Sequence, residues 1–388
     1  MVDKKINTLL IKKIMRRIAR IMLTMISAFL ICVLVCAGVL IVHSTGKPKP
    51  FLDENGRELE GSISEKIHVN INGVEQGMFI KGMDKTKPVL LLVHGGPGMP
   101  DYVISQENTT VLEKYFIVCY WDQRGAGLSY SSDIPVDTIN AEQLVSDTIG
   151  ITNYLRNRFV QDKIYLMGYS WGSFLGIQAV AKQPELYKAY IAMSQMSNQI
   201  ESERMSYEYI VEQYKKVGNK SMLDKLEKSP IDEKTNLPTE YWSMRDDMMH
   251  SLGVGTTRNM KSVITGIFLP VIVSSEYTLK EKINLWRYKF TSPSIKNLEN
   301  QMYGTDLNEK VQKVEVPVYF CHGIYDCTIS YDLTKEYFNK LQAPMKGFYT
   351  FNESAHSPMF EEPEKFSYIL EDDVLKGTNG LADTISNN

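Results

Sequence analysis

The chain has little of what metal, nucleotide and disulfide-bonded proteins are built from. Its 388 residues contain six histidines and five cysteines, and no clustered His, Cys and carboxylate pattern suggests a metal site. No glycine-rich loop has the spacing that cradles a phosphate, and no internal repeat is visible. We therefore expect neither a cofactor nor a metal.

The few cysteines are poorly placed for a disulfide framework. Cys32 and Cys36 lie in a long apolar run, which leaves Cys119, Cys321 and Cys327 in the rest of the chain. Three cysteines cannot all pair with one another. A bridge between Cys321 and Cys327 is possible, but reduced and half-buried thiols are the expectation.

Basic residues are also scarce once the first twenty residues are set aside. Without the seven bases and one acid of residues 1–20, 36 Lys and Arg face 45 Asp and Glu, a formal charge of −9. An acidic surface repels nucleic acid, and no basic stretch laced with aromatic residues suggests a nucleic-acid partner. Oligomeric state is left open.

One long hydrophobic run is present. Residues 21–42 carry no formal charge, and as a helix they would extend about 33 Å, enough to cross a bilayer core. Seven bases precede the run, but only Lys47 and Lys49 follow shortly after it, so the N-terminus is predicted to be cytoplasmic. A cleaved signal peptide is the alternative, although the apolar core is too long for one. We predict a cytoplasmic segment (1–20), one transmembrane helix (21–42) in the cell membrane, and an extracytoplasmic remainder.

Beyond the membrane the pattern predicts a doubly wound α/β domain. Residues 43–66 are polar and broken by Pro and Gly, which is typical of a linker. Residues 67–193 and 314–376 alternate apolar strands with helices, as in a mostly parallel sheet. Residues 194–313 have a helical pattern without strands and are predicted to form an inserted cap. The last segment, 377–388, is predicted to be a loose tail.

The most informative motif is Gly168-Tyr-Ser170-Trp-Gly172, which follows an apolar strand and opens a helix. A serine on such a sharp turn is held in a strained conformation, and the flanking positions must be small so that neighbouring backbone can approach. The pattern predicts that Ser170 is a nucleophile.

A serine hydroxyl needs a base and an acid that orients the base. In enzymes with this elbow the order along the chain is serine, acid, histidine. Among the histidines only His356 follows the last predicted strand, and Asp326 ends the strand before it. We predict a catalytic triad of Ser170, Asp326 and His356, with Glu353 as a distant alternative acid.

Acyl transfer also requires backbone donors for the oxyanion. The N–H of Trp171, directly after the serine, is the first candidate. The second should come from the loop His94-Gly-Gly-Pro-Gly98, in which either Gly95 or Gly96 could supply it.

Three motifs together resemble the proline iminopeptidase (prolyl aminopeptidase) branch of the α/β hydrolases. They are His94-Gly-Gly-Pro-Gly98, Asp122-Gln-Arg-Gly-Ala-Gly-Leu-Ser129 and Gly168-Tyr-Ser-Trp-Gly-Ser173. The resemblance covers roughly residues 67–376 and implies an α/β-hydrolase fold, the same triad, and a scaffolding role for the Asp122–Ser129 segment, with Arg124 paired internally.

The chain departs from this branch at Tyr169, where glycine is usual, and in its cap. Glu201 and Glu203 at the start of the cap could bind a substrate's N-terminal ammonium, but at helical spacing they could equally form a solvated face. The sequence favours an aminopeptidase acting on short peptides. A carboxylesterase or amidase for small acyl substrates is the alternative, and a non-catalytic surface binding module is a more remote one.

Overall fold

The computed structural model describes residues 2–108, 111–231 and 237–384, and within them one eight-stranded sheet in the order β1-β2-β4-β3-β5-β6-β7-β8. β1 and β2 are antiparallel to each other, β2 is antiparallel to β4, and the remaining pairs are parallel. The predicted doubly wound, mostly parallel sheet is confirmed. The strands are β1 Ile63–Ile71, β2 Val74–Gly82, β3 Val89–Val93, β4 Ile117–Trp121, β5 Ile164–Tyr169, β6 Tyr187–Met193, β7 Val318–Gly323 and β8 Lys346–Phe351.

Helices cover both faces of this sheet. Before β6 they are α1 Val2–His43, α2 Tyr102–Glu107, α3 Leu112–Tyr115, α4 Ala141–Phe159 and α5 Trp171–Lys182. Between β6 and β7 they are α6 Gln199–Lys216, α7 Lys220–Glu227, α8 Thr239–Leu252, α9 Leu269–Val273, α10 Leu279–Thr291, α11 Pro293–Tyr303 and α12 Leu307–Lys310, and after β7 they are α13 Tyr331–Lys340, α14 Pro358–Glu361 and α15 Pro363–Ile369. Short π-helical turns, Ile264–Phe268 and Leu370–Val374, adjoin α9 and α15.

The central strands are uniformly apolar because both of their faces are covered. Every residue of β3, β4 and β5 is buried, as expected for parallel strands between helical layers. β1 and β2 form a hairpin with its turn at Asn72-Gly73, where both residues have positive φ (49° and 78°). Asn and Gly tolerate that conformation better than other residues.

α1 joins the basic segment and the apolar run into one helix. Its part from Lys13 to His43 is long and apolar enough to cross a membrane. A signal sequence near the N-terminus can have the same length and composition.

The region between β6 and β7 contains helices, and the structure shows no strand in the portions of it that are described. Part of it has its own small apolar core, formed by Ile210, Tyr214, Leu226, Tyr241, Met248, Met249 and Val254. We refer to α6 to α12 as the inserted helices. The division of the chain into core and cap stays a prediction.

Several segments differ from the expectations. β1 begins at Ile63, four residues before the predicted start. The preceding polar segment is not free of the domain, since the Gly46 N–H donates to the Ser275 carbonyl at 2.9 Å. Nor is the chain after Gly377 loose throughout, because the Asp383 carboxylate accepts a hydrogen bond from the Thr350 N–H at 3.1 Å. Cys321 and Cys327 are free thiols in the structure.

A buried ion pair joins the loop after β4 to α4. The Arg124 guanidinium donates to both carboxylate oxygens of Asp147, at 2.6 and 2.8 Å, and both side chains are almost fully buried. Asn72 and Gln143 donate further hydrogen bonds to the same carboxylate. Arg124 therefore pairs internally, as the resemblance implied.

Replacing Asp147 by Asn should destabilise the protein strongly, because Arg124 would remain buried without its counter-charge. We expect a loss of about 3–5 kcal/mol, measured as a shift of the urea unfolding midpoint of the full chain in detergent. The matched control is Arg57→Ala, which removes the exposed pair with Asp53 and should leave the midpoint almost unchanged, because exposed ion pairs contribute little. Equal effects of the two substitutions would contradict the prediction.

Candidate active site

Ser170 lies on the turn between β5 and α5 in a strained backbone conformation, with φ 54° and ψ −123°. The turn is tight because α5 starts directly against the end of β3. A Cβ added to Gly172 would lie 1.8 Å from the carbonyl oxygen of Val93, and one added to Gly168 would lie 2.6 Å from the Cα of Ser173. The two glycines of the motif are thus required by backbone contact, and the contact holds Ser170 at the carboxyl edge of the sheet.

Asp326 and His356 meet at the same edge, in the loops after β7 and β8. His356 Nδ1 lies 2.8 Å from Asp326 Oδ2, and both side chains are buried. His356 and Ser170 line one cavity. The structure therefore brings together the three residues that the sequence singled out.

Asp326 is held as a carboxylate by an extensive set of donors. Its Oδ1 accepts hydrogen bonds from the N–H groups of Thr328 and Ile329, at 2.8 and 2.9 Å. Burial acts to raise the pKa of Asp326, but the interactions with His356 and His322 outweigh it and hold that pKa well below the usual range. The acid is therefore charged at any pH near neutrality.

His322 is a site residue that sequence reasoning missed. Its Nε2 lies 3.1 Å from Asp326 Oδ2 and 3.1 Å from the Ile329 carbonyl oxygen. Since both neighbours are acceptors, the proton belongs on Nε2. The signal was available, because His322 and Asp326 are four residues apart in the segment that closes β7.

The loop after β3 lies against the serine, with a Cβ at Gly95 placed 3.3 Å from the Cβ of Ser170. The Gly95 N–H donates to Asp101 Oδ2 at 2.9 Å, whereas the Gly96 N–H donates to none of the residues that the structure describes. Trp171 is the first residue of α5, where a backbone N–H has no intrahelical acceptor. The free donors beside Ser170 are thus those of Gly96 and Trp171.

A buried network connects this loop to the elbow. The Trp171 indole donates to Gln123 Oε1 at 2.9 Å, and Gln123 donates from its Nε2 to the His94 carbonyl at 2.8 Å. The Gln123 N–H also donates to His94 Nε2 at 3.1 Å. Burial lowers the pKa of His94 to about 4, so its ring is neutral and serves as a structural link.

The cavity above Ser170 has a volume of about 280 Å³. Most of its lining from the inserted helices and neighbouring segments is apolar: Met99, Ile104, Met249, Val263, Ile267, Trp286 and Phe290. Tyr169 lines it as well, with its hydroxyl 2.7 Å from Ser357 Oγ and its ring packed near His356. The charged side chains in the lining are of both signs, Asp101, Asp246, Arg245 and Lys289.

Glu201 and Glu203 are not among the residues that line the cavity. Glu203 is fully buried and its carboxylate accepts two hydrogen bonds from Arg245, at 2.6 and 2.8 Å. Glu201 lies near the surface and pairs with Arg204 at 2.7 Å. Neither carboxylate is placed to receive a ligand's ammonium group in this cavity. Within residues 2–108, 111–231 and 237–384, no group of three or more His, Cys, Asp or Glu could hold a metal ion.

Comparisons with known proteins agree with this architecture. The family described as alpha/beta hydrolase fold matches residues 88–363. The probable aminopeptidase YbaC of Bacillus subtilis (strain 168) is 30% identical over 323 residues, which cover 80% of this chain and 96% of that relative. A proline iminopeptidase of Thermoplasma volcanium is 22% identical over 327 residues, which cover 80% of this chain and 96% of that relative. The crystal structure of a proline iminopeptidase of Mycobacterium smegmatis matches with a TM-score of 0.56 at 14% identity. The match covers 80% of this chain and 98% of that one, and it shows a similar fold.

Replacing Gly172 by Ala should disrupt the elbow, because the new methyl group would overlap the Val93 carbonyl. Overpacking commonly costs about 1–3 kcal/mol, and contact with backbone should place this variant at or above the upper end. The measurement is the thermal unfolding midpoint of the full chain in detergent. Gly380→Ala is the control, since its Cβ would have no neighbour closer than 3.8 Å. A Gly172→Ala variant as stable as this control would contradict the close approach.

Asp101 should make stability depend on pH. Burial raises the pKa of its carboxyl to about 7, although the Gly95 N–H acts in the opposite direction. Between about pH 4 and pH 7 the folded state holds a proton that the unfolded chain has released. The free energy of unfolding therefore falls as pH rises from about 4 to about 7, and above about pH 7 Asp101 causes no further change. Asp101→Asn should remove this component, which amounts to about 4 kcal/mol at most. Unfolding midpoints are measured at pH 4.5, 6 and 8. The midpoint of the wild type should fall relative to that of the variant as pH rises, and a constant difference between the two proteins would contradict the assignment.

Proposed function

Because the chain belongs to the α/β hydrolase family, we propose that it is a membrane-anchored serine hydrolase that works through an acyl-enzyme. The observation that carries the proposal is the 2.8 Å contact between Asp326 and His356 beside a cavity that also holds Ser170 on a strained turn. A hydrolase needs a nucleophile, a base and an orienting acid at one point, and these residues have the required chemistry.

In the first half of the reaction, Ser170 Oγ attacks the carbonyl carbon of the substrate. The serine proton passes to Nε2 of His356, while Nδ1 of the same ring donates to Asp326. The charged Asp326 stabilises the imidazolium that forms. The proton then passes to the departing amine or alcohol as the bond to the carbonyl carbon breaks, which leaves the acyl group on Ser170.

The oxyanion of the tetrahedral intermediate would be stabilised by the N–H groups of Trp171 and Gly96. We prefer Gly96 to Gly95 because the Gly95 N–H already donates to Asp101. Each such donor is worth about 3–4 kcal/mol in enzymes where it has been removed. Water then attacks the acyl carbon while His356 takes its proton. The bond from that carbon to Ser170 Oγ breaks, the proton passes from His356 to Ser170, and the carboxylic acid leaves.

The first candidate activity is that of an aminopeptidase on short peptides. Its support is the similarity to relatives named probable aminopeptidase and proline iminopeptidase, together with the motifs around Gly95, Asp122 and Ser170. An aminopeptidase must bind an ammonium group. Within the cavity lining Asp246 is the candidate for this role, although it also lies 3.1 Å from Arg245.

The second candidate is a carboxylesterase or amidase, and the character of the cavity favours it. Apolar side chains such as Met249, Ile267 and Phe290 dominate the wall that faces Ser170, and the charged residues include two cations, Arg245 and Lys289. Such a wall accommodates an apolar acyl group better than a free ammonium.

For location, we propose that the apolar helix from Lys13 to His43 is an uncleaved anchor in the cell membrane. The excess of bases before the apolar run supports a cytoplasmic N-terminus and an extracytoplasmic catalytic domain. We also propose that residues 67–193 and 314–376 form the core and residues 194–313 the cap.

Labelling with a fluorophosphonate probe tests the mechanism. The wild-type full chain should be modified and Ser170→Ala should not, while Ser132→Ala, a change in an exposed loop serine, should be labelled as wild type. Labelling that persists in Ser170→Ala would overturn the assignment of the nucleophile, and no labelling of wild type would favour a binding module.

A substrate panel distinguishes the two activities. Amino-acid arylamides, with the prolyl compound among them, are compared with acyl esters on the full chain in detergent. Turnover of the arylamides supports the aminopeptidase, whereas ester turnover without arylamide turnover supports the esterase.

A further inference from the structure

The segment that contains α9 is unusually apolar for a protein surface. Residues 262–275 contain no charged residue, and Ile264–Val273 forms a short apolar helix. Several of its side chains are open to solvent, with exposed fractions of 63% for Ile264, 44% for Leu269 and 53% for Val273. Contiguous exposed apolar surface of this kind marks an interaction site.

α10 extends the same surface. The Phe268 ring packs on Trp286 at 4.7 Å between centroids, and Trp286 stacks on Phe290 at 5.6 Å. Ile283 and Phe290 share one side of the helix by their spacing, and they are 51% and 70% exposed. We call the surface formed by Ile264, Leu269, Val273, Ile283 and Phe290 the apolar face.

Two bases stand next to the apolar face. Lys280 and Arg287 are exposed on α10, three residues before and four residues after Ile283. A helix that presents Lys or Arg together with large apolar side chains is typical of the interface between water and lipid, where the bases meet anionic headgroups.

The end of α1 is held beside the apolar face. Lys282 Nζ donates to Ser44 Oγ and to the Ile272 carbonyl, both at 2.7 Å, and the Thr45 hydroxyl donates to the Ser275 carbonyl at 3.1 Å. One lysine side chain therefore joins the residue after the membrane helix to α9. If α1 crosses the bilayer, the apolar face is therefore on the part of the domain next to the membrane.

The cavity reaches this surface. Its lining includes Val263, Ile267, Trp286 and Phe290 as well as Ser170, and Phe290 is also a member of the exposed face. The Trp286 indole N–H has no hydrogen-bond partner among the described residues. Phe290 therefore belongs both to the cavity that holds Ser170 and to the apolar face.

We infer that the apolar face rests on the bilayer that holds α1, and that the cavity receives long acyl chains from the lipid through it. The inference rests on the proposed membrane anchor and serine hydrolase, and it selects an acyl ester or amide bearing a long apolar chain as the substrate class. The carbonyl carbon would reach Ser170 while the chain occupies the apolar wall.

Photocrosslinking tests the contact with lipid independently of catalysis. A benzophenone amino acid is placed at Leu269 or at Val217 in the full-length Ser170→Ala protein, reconstituted in vesicles of phosphatidylcholine and phosphatidylglycerol. Val217 is an exposed apolar control outside the face, with 69% of its surface open. A phospholipid adduct at position 269 and none at 217 is expected. Equal adducts, or a crosslink from 269 to a second copy of the chain, would overturn the inference.

Kinetics tests the substrate route. In the same vesicles, Leu269→Glu and Val273→Glu should lower kcat/KM for a membrane-embedded palmitoyl ester by about tenfold, since a charge then faces the lipid. Turnover of a water-soluble butyryl ester should be unchanged, because neither residue lines the cavity, and Val217→Glu should affect neither ester. No effect on the palmitoyl ester, or an equal loss on both esters, would overturn the route.

An error in the hydrolase assignment and an error in the lipid route would give different experimental results. If the hydrolase assignment is wrong, wild type is neither labelled by fluorophosphonate nor active on any ester, yet the crosslinking result still reports on the face. If only the route is wrong, wild type is labelled and hydrolyses the butyryl ester, while the face variants behave as Val217→Glu does.

Discussion

The close approach of α5 to the end of β3 is the constraint on which the site depends. The Cα of Gly172 sits where a side chain would overlap the Val93 carbonyl, and Ser170, two residues earlier, has a positive φ of 54°. A serine in that conformation is strained by about 1–3 kcal/mol, and the surrounding packing must hold it there. Two buried hydrogen bonds help to hold it. The Ser170 N–H donates to the Met193 carbonyl at 3.0 Å, and the Ser173 hydroxyl donates to the Ser170 carbonyl at 2.6 Å.

The buried carboxyl groups of Asp101 and Asp326 have pKa values shifted in opposite directions, because only Asp326 contacts two histidines. Burial raises the pKa of any carboxyl. Asp101 has one backbone donor, and its pKa is raised to about 7. Asp326 has two backbone donors and two imidazoles, and its pKa falls below the usual range. The protein thus keeps a charged carboxylate next to His356 and a more readily protonated one beneath the loop that faces Ser170.

The inserted helices connect three features that are far apart in sequence. They contribute Met249, Trp286 and Phe290 to the apolar wall above Ser170, they present Leu269 and Val273 to the outside, and through Lys282 they hold Ser44, the residue that follows α1. If α1 anchors the protein as proposed, the cavity has a short path for poorly soluble molecules. The proposed contact with lipid would also account for an apolar surface that is exposed rather than buried.

Much of this protein could be predicted from the order of its residues. The alternation of apolar strands and helices predicts the doubly wound sheet, because strands buried on both faces must be apolar throughout. Gly168, Ser170 and Gly172 predict the elbow for the steric reason that the structure shows. Asp326 and His356 could be selected as well, since the carboxyl ends of parallel strands meet at one edge, so residues at those positions converge even when far apart in sequence.

Tertiary structure decided what local pattern could not. Helical spacing leaves Glu203 equally suited to a ligand or to a solvated face, and only packing against Arg245 commits it to a buried ion pair. The choice between Gly95 and Gly96 depends on an acceptor from Asp101, six residues away from Gly95, and the part played by His322 depends on how its loop closes around Asp326. Sequence determines which segments are apolar and which backbone positions must be small, because these are local properties. Which buried polar groups become partners depends on distances that exist only in the folded chain.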